Sequence, residues 1–498
     1  MSAGRRALCL AALMILGLLH GLTQARLRPL YQVSDEIQYV HGAQQAAVAL
    51  ASPSQSRCIS PPDGSLLPAG SGGGKWAFRA ATARQLAWAC RDGGPFPMFL
   101  LRALNALSLP VLVAAGWILA RMLWPARVDV AIAAGLLVAA HPVVVKYGSG
   151  VTPDAWANAL AGLAFVGGAR VVLGRGRVLG GLMLLVATTI ALVWKETATF
   201  LVVHLALVGA IVAWQAGRRL PLAWRVLLPV VVLPMFAAAV RLAPSLVTIF
   251  GSTYHVGAGV RSTMEDPMAF AAAVAADLLR QLAGMVVTSW TVLGNFGGTT
   301  VAPVPFATTV AVLTVAGALV GWVLILTRPR EGLHSLPTVL AGAWAVSAMV
   351  CLLQPSVRQV WADSQDIHQG RWLFPLAAPA AALVAAGVVR LRPAAGSLAL
   401  AATLWLGVMW TALGHLGTWY YARVPDQVIR QHVFLRGTGG QDVGDARIWA
   451  TIDDFARHQV PAAFWYQAAL LCGCSLVTLW LLSTPPQFSG HDRHADHR

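Results

Sequence analysis

Residues 31–39 read Tyr31-Gln32-Val33-Ser34-Asp35-Glu36-Ile37-Gln38-Tyr39, and they follow closely on the apolar segment Ala7–Leu22, which Arg5 and Arg6 introduce. The apolar segment is long enough to cross most of a bilayer. Two adjacent carboxylates therefore stand just outside a first membrane span. A carboxylate beside lipid must be solvated, paired or used. The expectation is that the rest of the chain builds a cavity over this pair.

The remainder fits a membrane setting. The chain has 498 residues, of which 57% are hydrophobic and only 11% charged, and its mean hydropathy is +0.65. A soluble protein of this size needs far more charge on its surface. Long apolar runs recur from end to end, which predicts an all-α polytopic membrane protein. The runs are continuous rather than alternating, which argues against a barrel. The net charge of +16 does not point to nucleic acid. The arginines fall in short clusters between apolar runs, a pattern that orients helices in a membrane rather than tracking phosphates.

About twelve spans of roughly 20 residues can be marked, near 7–23, 97–120, 128–145, 154–173, 178–194, 197–214, 224–243, 303–327, 336–353, 373–389, 397–414 and 464–483. If they alternate, Arg5/Arg6, Arg121/Arg127, Arg170/Arg175/Arg177, Arg218/Arg219/Arg225, Arg328/Arg330, Arg390/Arg392 and Arg493/Arg498 all share one side. The positive-inside rule makes that side cytoplasmic. The expected localisation is the cell inner (plasma) membrane, multi-pass, with membrane lipids as surroundings. Residues 24–96, 244–302 and 415–463 are then extracytoplasmic loops, and 484–498 is a cytoplasmic tail. Residues 1–390 read as one catalytic transmembrane region, and 391–483 as C-terminal spans around the loop 415–463. The first 25 residues also fit a cleaved signal peptide, ending near Thr23-Gln24-Ala25; the sides of the later loops are the same in either case.

The first outer loop predicts helices at Ser34–Leu50, capped by Ser34, and near Trp76–Cys90, with a Pro/Gly/Ser-rich link from Ser52 to Gly74. A half-apolar helix is expected near Pro267–Val287. The six cysteines show no metal spacing. Cys58 and Cys90 share the first outer loop, where a disulfide can form. Closing such a loop stabilises by about 3–4 kcal/mol. Two free thiols are the alternative.

The three lysines, Lys75, Lys146 and Lys195, all fall on the outer side, whereas the inner clusters are arginine only. One membrane face thus gathers Asp35, Glu36, Lys146, Asp154, Lys195, Glu196, Asp363, Asp366, His368 and Arg371. Carboxylates beside cations at one bilayer surface suit a lipid-phosphate donor and a hydroxyl or amine acceptor. The cations hold the phosphate, and a carboxylate takes the acceptor proton. Plainer readings stand beside this one. Asp35 and Glu36 favour a helix N-terminus, Lys146 and Lys195 serve as snorkelling anchors, Asp154 caps its helix, and Arg371 marks a span end. The tail residues His491, His494 and His497 read as solvated rather than metal-binding.

The acidic pair in Ser34-Asp35-Glu36 resembles the first-loop signature of the GT-C superfamily, which includes protein O-mannosyltransferases and lipid A aminoarabinose transferases. His141-Pro142, Val151-Thr152-Pro153-Asp154-Ala155, Lys195-Glu196-Thr197-Ala198 and Gln369-Gly370-Arg371-Trp372-Leu373-Phe374-Pro375 resemble stretches of bacterial members. Ser289-Trp290 with Gly294-Asn295-Phe296-Gly297 is a looser match to an aromatic–glycine motif. The likeness spans roughly residues 1–380.

The resemblance implies a GT-C-like fold with extracytoplasmic loop helices. It implies a glycosyltransferase that moves a sugar, with inversion, from a polyprenyl-phosphate donor to a lipid, glycan or protein acceptor on the outer face. Asp35 is then the base, with Glu36 assisting or structural. Lys195, Arg371 and Lys146 face the donor phosphate, and Asp154, Tyr39 and His368 support the site. No cofactor is required. A divalent ion between Asp35, Glu36 and Asp154 is an open alternative, since carboxylates alone do not show one. Rival functions are a transporter or flippase of lipid-linked intermediates, which needs charge at mid-depth, and a surface-polysaccharide polymerase or ligase.

Overall fold

The computed structural model describes residues 2–27, 36–48, 56–59, 76–92, 97–217, 267–288, 304–327, 336–362, 370–391 and five positions between 469 and 476. The expected spans at 224–243 and 397–414, most of 464–483, the loop 415–463 and the tail lie outside the described residues. So do Ser34, Asp35, Lys75, Asp363, Asp366, His368 and the aromatic–glycine stretch.

Among the described residues the elements are all helices. The first eleven are α1 (Ala3–Leu27), α2 (Glu36–Val48), α3 (Ser56–Ile59), α4 (Trp76–Ala89), α5 (Met98–Ala106), α6 (Ser108–Leu123), α7 (Val128–Ala140), α8 (Pro142–Gly148), α9 (Asp154–Val172), α10 (Arg177–Trp194) and α11 (Phe200–Gly217). Helices Pro267–Thr288, Val304–Leu326, Leu336–Ala362 and Ala377–Leu391 follow. Among the described residues, six helical stretches are long and apolar enough to cross a membrane: Ala3–Arg26, Met98–Leu123, Asp154–Val172, Arg177–Trp194, Thr197–Gly217 and Leu336–Val357. Val128–Ala140, Val312–Leu326 and Leu373–Val389 are shorter apolar helices. The described residues are thus all helical, and their long apolar helices make the chain a multi-pass membrane protein.

Two expected spans are interrupted, each at a proline. Pro110 has no N–H to give to the Ala106 carbonyl, and its ring crowds that carbonyl; the helix divides at Leu107. Pro142 pushes the preceding residue out of the helical region. His141 accordingly sits at φ −65°, ψ 108°, and its side chain caps α8 by accepting from the Val144 N–H at 3.3 Å. The run 128–145 is therefore α7 followed by the short α8, and α8 carries Lys146.

The helices run between two chemically different ends. At one end Arg121 lies within Coulombic range of Arg6 and Arg175 and donates to the Pro125 carbonyl. Arg127 clasps Asp129 through Nε–Oδ1 at 2.9 Å and Nη2–Oδ2 at 2.7 Å, and that carboxylate raises the pKa of the guanidinium. The tight turn from α9 to α10 has Gly174 and Gly176 at φ 71° and 77°, a left-handed region that glycine enters without strain. It closes with Arg175 N–H on the Arg170 carbonyl at 2.9 Å. Gln215, near the end of α11, returns to the same place by donating to the Val172 carbonyl at 3.0 Å.

Helix packing relies on small residues. Lipid supplies no hydrophobic drive between spans, so close backbone approach does the work. A Cβ on Gly167 would overlap Leu184 and Gly180 where α9 crosses α10. A Cβ on Gly321 would overlap the Leu383 carbonyl, and one on Gly387 the Gly317 carbonyl. The second crossing joins Val304–Leu326 to Ala377–Leu391. Apolar side chains left outward on α10, such as Val178, Leu182, Val186 and Ile190, face where lipid would lie.

The end opposite these arginine clusters carries a second, smaller core. Tyr39, Val40, Phe78, Leu86, Met98 and Leu101 are buried there together, on α2, α4 and α5. Cys58 and Cys90 join inside it as a disulfide with Cα atoms 5.6 Å apart, tying α3 to the residue after α4.

Candidate active site

Arg102 explains how this cap is seated. It lies in α5, inside an apolar stretch, and its side chain is 0% exposed. A guanidinium there needs a partner of opposite charge. Glu36, the first residue of α2, is that partner and is equally buried. Arg102 Nε donates to Oε1 at 3.0 Å and Nη2 to Oε2 at 2.7 Å, the two-pronged geometry that suits a carboxylate. The Val151 N–H donates to Oε1 at 2.9 Å, and Arg102 Nη1 donates to the Ala25 carbonyl at 3.3 Å. The end of α1, the start of α2, α5 and the turn before α9 therefore meet on one ion pair. Of the two roles expected for Glu36, assisting or structural, its contacts describe the structural one.

Asp154 opens α9 three residues beyond Val151. Its Oδ1 accepts from Lys195 Nζ, with both side chains largely buried. Lys195 can reach because it breaks the helix. At φ −153° and ψ 127° it is extended between α10 and the 3-10 turn Glu196–Thr199. Asp154 Oδ2, and Asn158 Oδ1 one turn further along α9, are buried without a hydrogen-bond partner.

Aromatic contacts close the rest of this end. Tyr39 and Trp194 each meet Phe78 edge-on, at 5.6 and 5.7 Å between ring centroids. Lys146 is 5% exposed, with Nζ 5.8 Å from the Tyr147 ring centroid. Tyr147 and His141 both meet Phe374, each at 5.7 Å. Phe374 belongs to the 3-10 turn Gly370–Leu376, which contains Arg371. Gln354 of the Leu336–Ala362 helix meets Thr199 beside Lys195.

The structure thus brings Glu36, Tyr39, Lys146, Asp154, Lys195 and the backbone of Arg371 to one end of the bundle. The side chains of Glu196 and Arg371 are outside what is described. The proposed ion site between Asp35, Glu36 and Asp154 finds Glu36 held by Arg102 and Asp154 held by Lys195. Among the described residues, no group of three or more His, Cys, Asp or Glu side chains is placed to hold a metal ion.

Arg102 is a residue of this site that was not among the candidates read from the sequence. The signal was its place inside the apolar run Met98–Leu123, where a charge demands a partner. The class defined by this architecture is a multi-pass helical membrane protein with a polar, capped end. Compared with family models, curated proteins and solved structures, the chain matches none.

Proposed function

We propose that the protein is a GT-C-like membrane glycosyltransferase of about twelve spans. It transfers a sugar from a polyprenyl-phosphate donor to an acceptor on the extracytoplasmic face of the inner membrane. The observation that supports this reading is the meeting of Glu36, Lys146, Asp154, Lys195 and the Arg371 turn at one end, away from the arginine clusters.

Two chemical markers agree on orientation. Arginine clusters favour the cytoplasmic side, and a disulfide favours the oxidising side; here they occupy opposite ends. Gly217 ends α11 at the arginine end, whereas Val304 begins a helix whose Ile325 reaches Thr338, far along Leu336–Ala362 from Gln354. In this reading the span at 224–243 supplies a crossing between them.

In this reading Asp35, bonded to Glu36, is the base that takes the acceptor proton. Lys195, Lys146 and Arg371 neutralise the donor phosphate as it leaves with its lipid. An ammonium has three N–H donors, enough for Asp154 and a phosphate oxygen. Attack from the face opposite the phosphate gives inversion. The test is transfer from a synthetic polyprenyl-phosphate sugar by protein reconstituted in liposomes. Wild type should release polyprenyl phosphate in step with sugar transfer. Asp35→Asn should slow turnover by roughly 100-fold or more while donor binding persists. Wild-type turnover by Asp35→Asn would remove the base assignment, and movement of intact donor across the bilayer without transfer would favour a flippase.

A further inference from the structure

Glu36 adjoins the proposed base, yet it has the surroundings of a fixed structural point. A general base must offer a lone pair to its acceptor, directly or through one water. Glu36 is 0% exposed, with Oε1 taken by Arg102 Nε and the Val151 N–H, and Oε2 by Arg102 Nη2. What the pair joins is more informative. On one side is the start of α2, where Asp35 is attached. On the other is the turn between α8, which carries Lys146, and α9, which begins with Asp154.

We propose that Glu36 and Arg102 form a positioning lock, holding the start of α2 in register with the Val151–Asp154 turn so that the base and the phosphate-facing cations keep one spacing. The proposal rests on the glycosyltransferase reading for its catalytic consequence, but the lock itself is a matter of geometry.

Directionality distinguishes a lock from simple glue. Apolar packing holds two surfaces together but tolerates sliding. A two-pronged guanidinium–carboxylate pair with a third bond from a backbone N–H permits one register. Buried ion pairs are often replaceable by apolar residues without loss of stability, so register and stability can be separated by mutation. Glu36→Gln combined with Arg102→Met removes both charges together. It keeps an amide oxygen that can accept from the Val151 N–H, and it fills the guanidinium volume with an apolar chain.

The experiment has two arms on the full-length protein in nanodiscs. Hydrogen exchange reads the lock directly. Glu36→Leu should speed exchange at the Val151 amide, and the double variant should speed exchange across α2, both at least 10-fold, with the α9–α10 pair unchanged. Unaltered protection at both places would overturn the lock. Turnover reads the consequence. The double variant should keep its melting temperature and donor KM close to wild type yet lose 10-fold or more in kcat, and Arg102→Lys should recover part of it. Wild-type kcat in the double variant would overturn the positioning role. If wild-type protein transfers no sugar, the glycosyltransferase reading falls and the exchange arm still decides the lock.

Discussion

Lys195 Nζ donates to Asp154 Oδ1, and this one contact closes the end of α10 onto the first turn of α9. The two residues are 41 apart in sequence, yet their helices form an antiparallel pair joined by the glycine turn at 174–176. The exposures are 12% and 4% for the two side chains, so solvent screens the pair little.

Removing one partner should be far worse than removing both. Lys195→Met leaves the Asp154 carboxylate buried beside a new apolar group, a loss of about 3–5 kcal/mol for a buried pair. Lys195→Met with Asp154→Leu should recover most of it. Thermal unfolding of detergent-solubilised protein measures both. Equal melting temperatures for the single and double variants would mean that the pair is not closed in the membrane. Under the proposed function, Lys195→Ala should also raise the donor KM by roughly 10-fold or more, as expected for loss of a charge-assisted contact to phosphate.

The Cys58–Cys90 bond should mark both stability and sidedness. Cys58→Ser with Cys90→Ser should weaken the cap of α2, α3 and α4 by about 3–4 kcal/mol. Limited proteolysis at the Ser52–Gly74 link should report this as faster cleavage, with the spans resistant. Under the proposed orientation, a membrane-impermeant maleimide should label Ser65→Cys in intact cells and Arg175→Cys only after lysis. The reverse pattern would turn the molecule over.

The crossing of Val304–Leu326 with Ala377–Leu391 depends on absent side chains. Gly321→Leu or Gly387→Leu must push the two backbones apart, because the atoms met first are main-chain carbonyls rather than flexible side chains. Overpacking commonly costs about 1–3 kcal/mol, and main-chain obstacles put these variants at the upper end. Gly181→Leu, where a Cβ meets nothing within 4 Å, is the control and should melt with wild type. A fall of the control alongside the two crossing variants would point to lost helix insertion instead.

Much of the architecture was legible before any coordinates. Apolar runs of span length, punctuated by arginine clusters, are enough to mark membrane helices, because a backbone in lipid has to satisfy its own hydrogen bonds. The starts of the helices at Trp76 and Pro267 were readable in the same way; Cys58 and Cys90 were read as sharing one loop, with a disulfide or two free thiols both open, and the structure joins them. Breaks at Pro110 and Pro142 were also written in the chain, since proline removes a donor wherever it stands. Hydropathy averages over a window and passes across such breaks.

Pairing was not legible. Glu36 and Arg102 are 66 residues apart and Lys195 and Asp154 41 apart. From sequence alone, each of these charges could meet water, lipid headgroup, substrate or another residue. Which of these it meets depends on how α1, α2, α5, α9 and α10 sit around one another. That arrangement is set by glycine crossings and side-chain shape, which act only once the helices touch. Composition and periodicity therefore determined that this chain is a helical membrane protein whose span-flanking arginine clusters repeat between apolar runs. The tertiary structure alone decided that Glu36 is spent on Arg102 and the Val151 N–H, because a desolvated charge takes the partner that packing brings within reach.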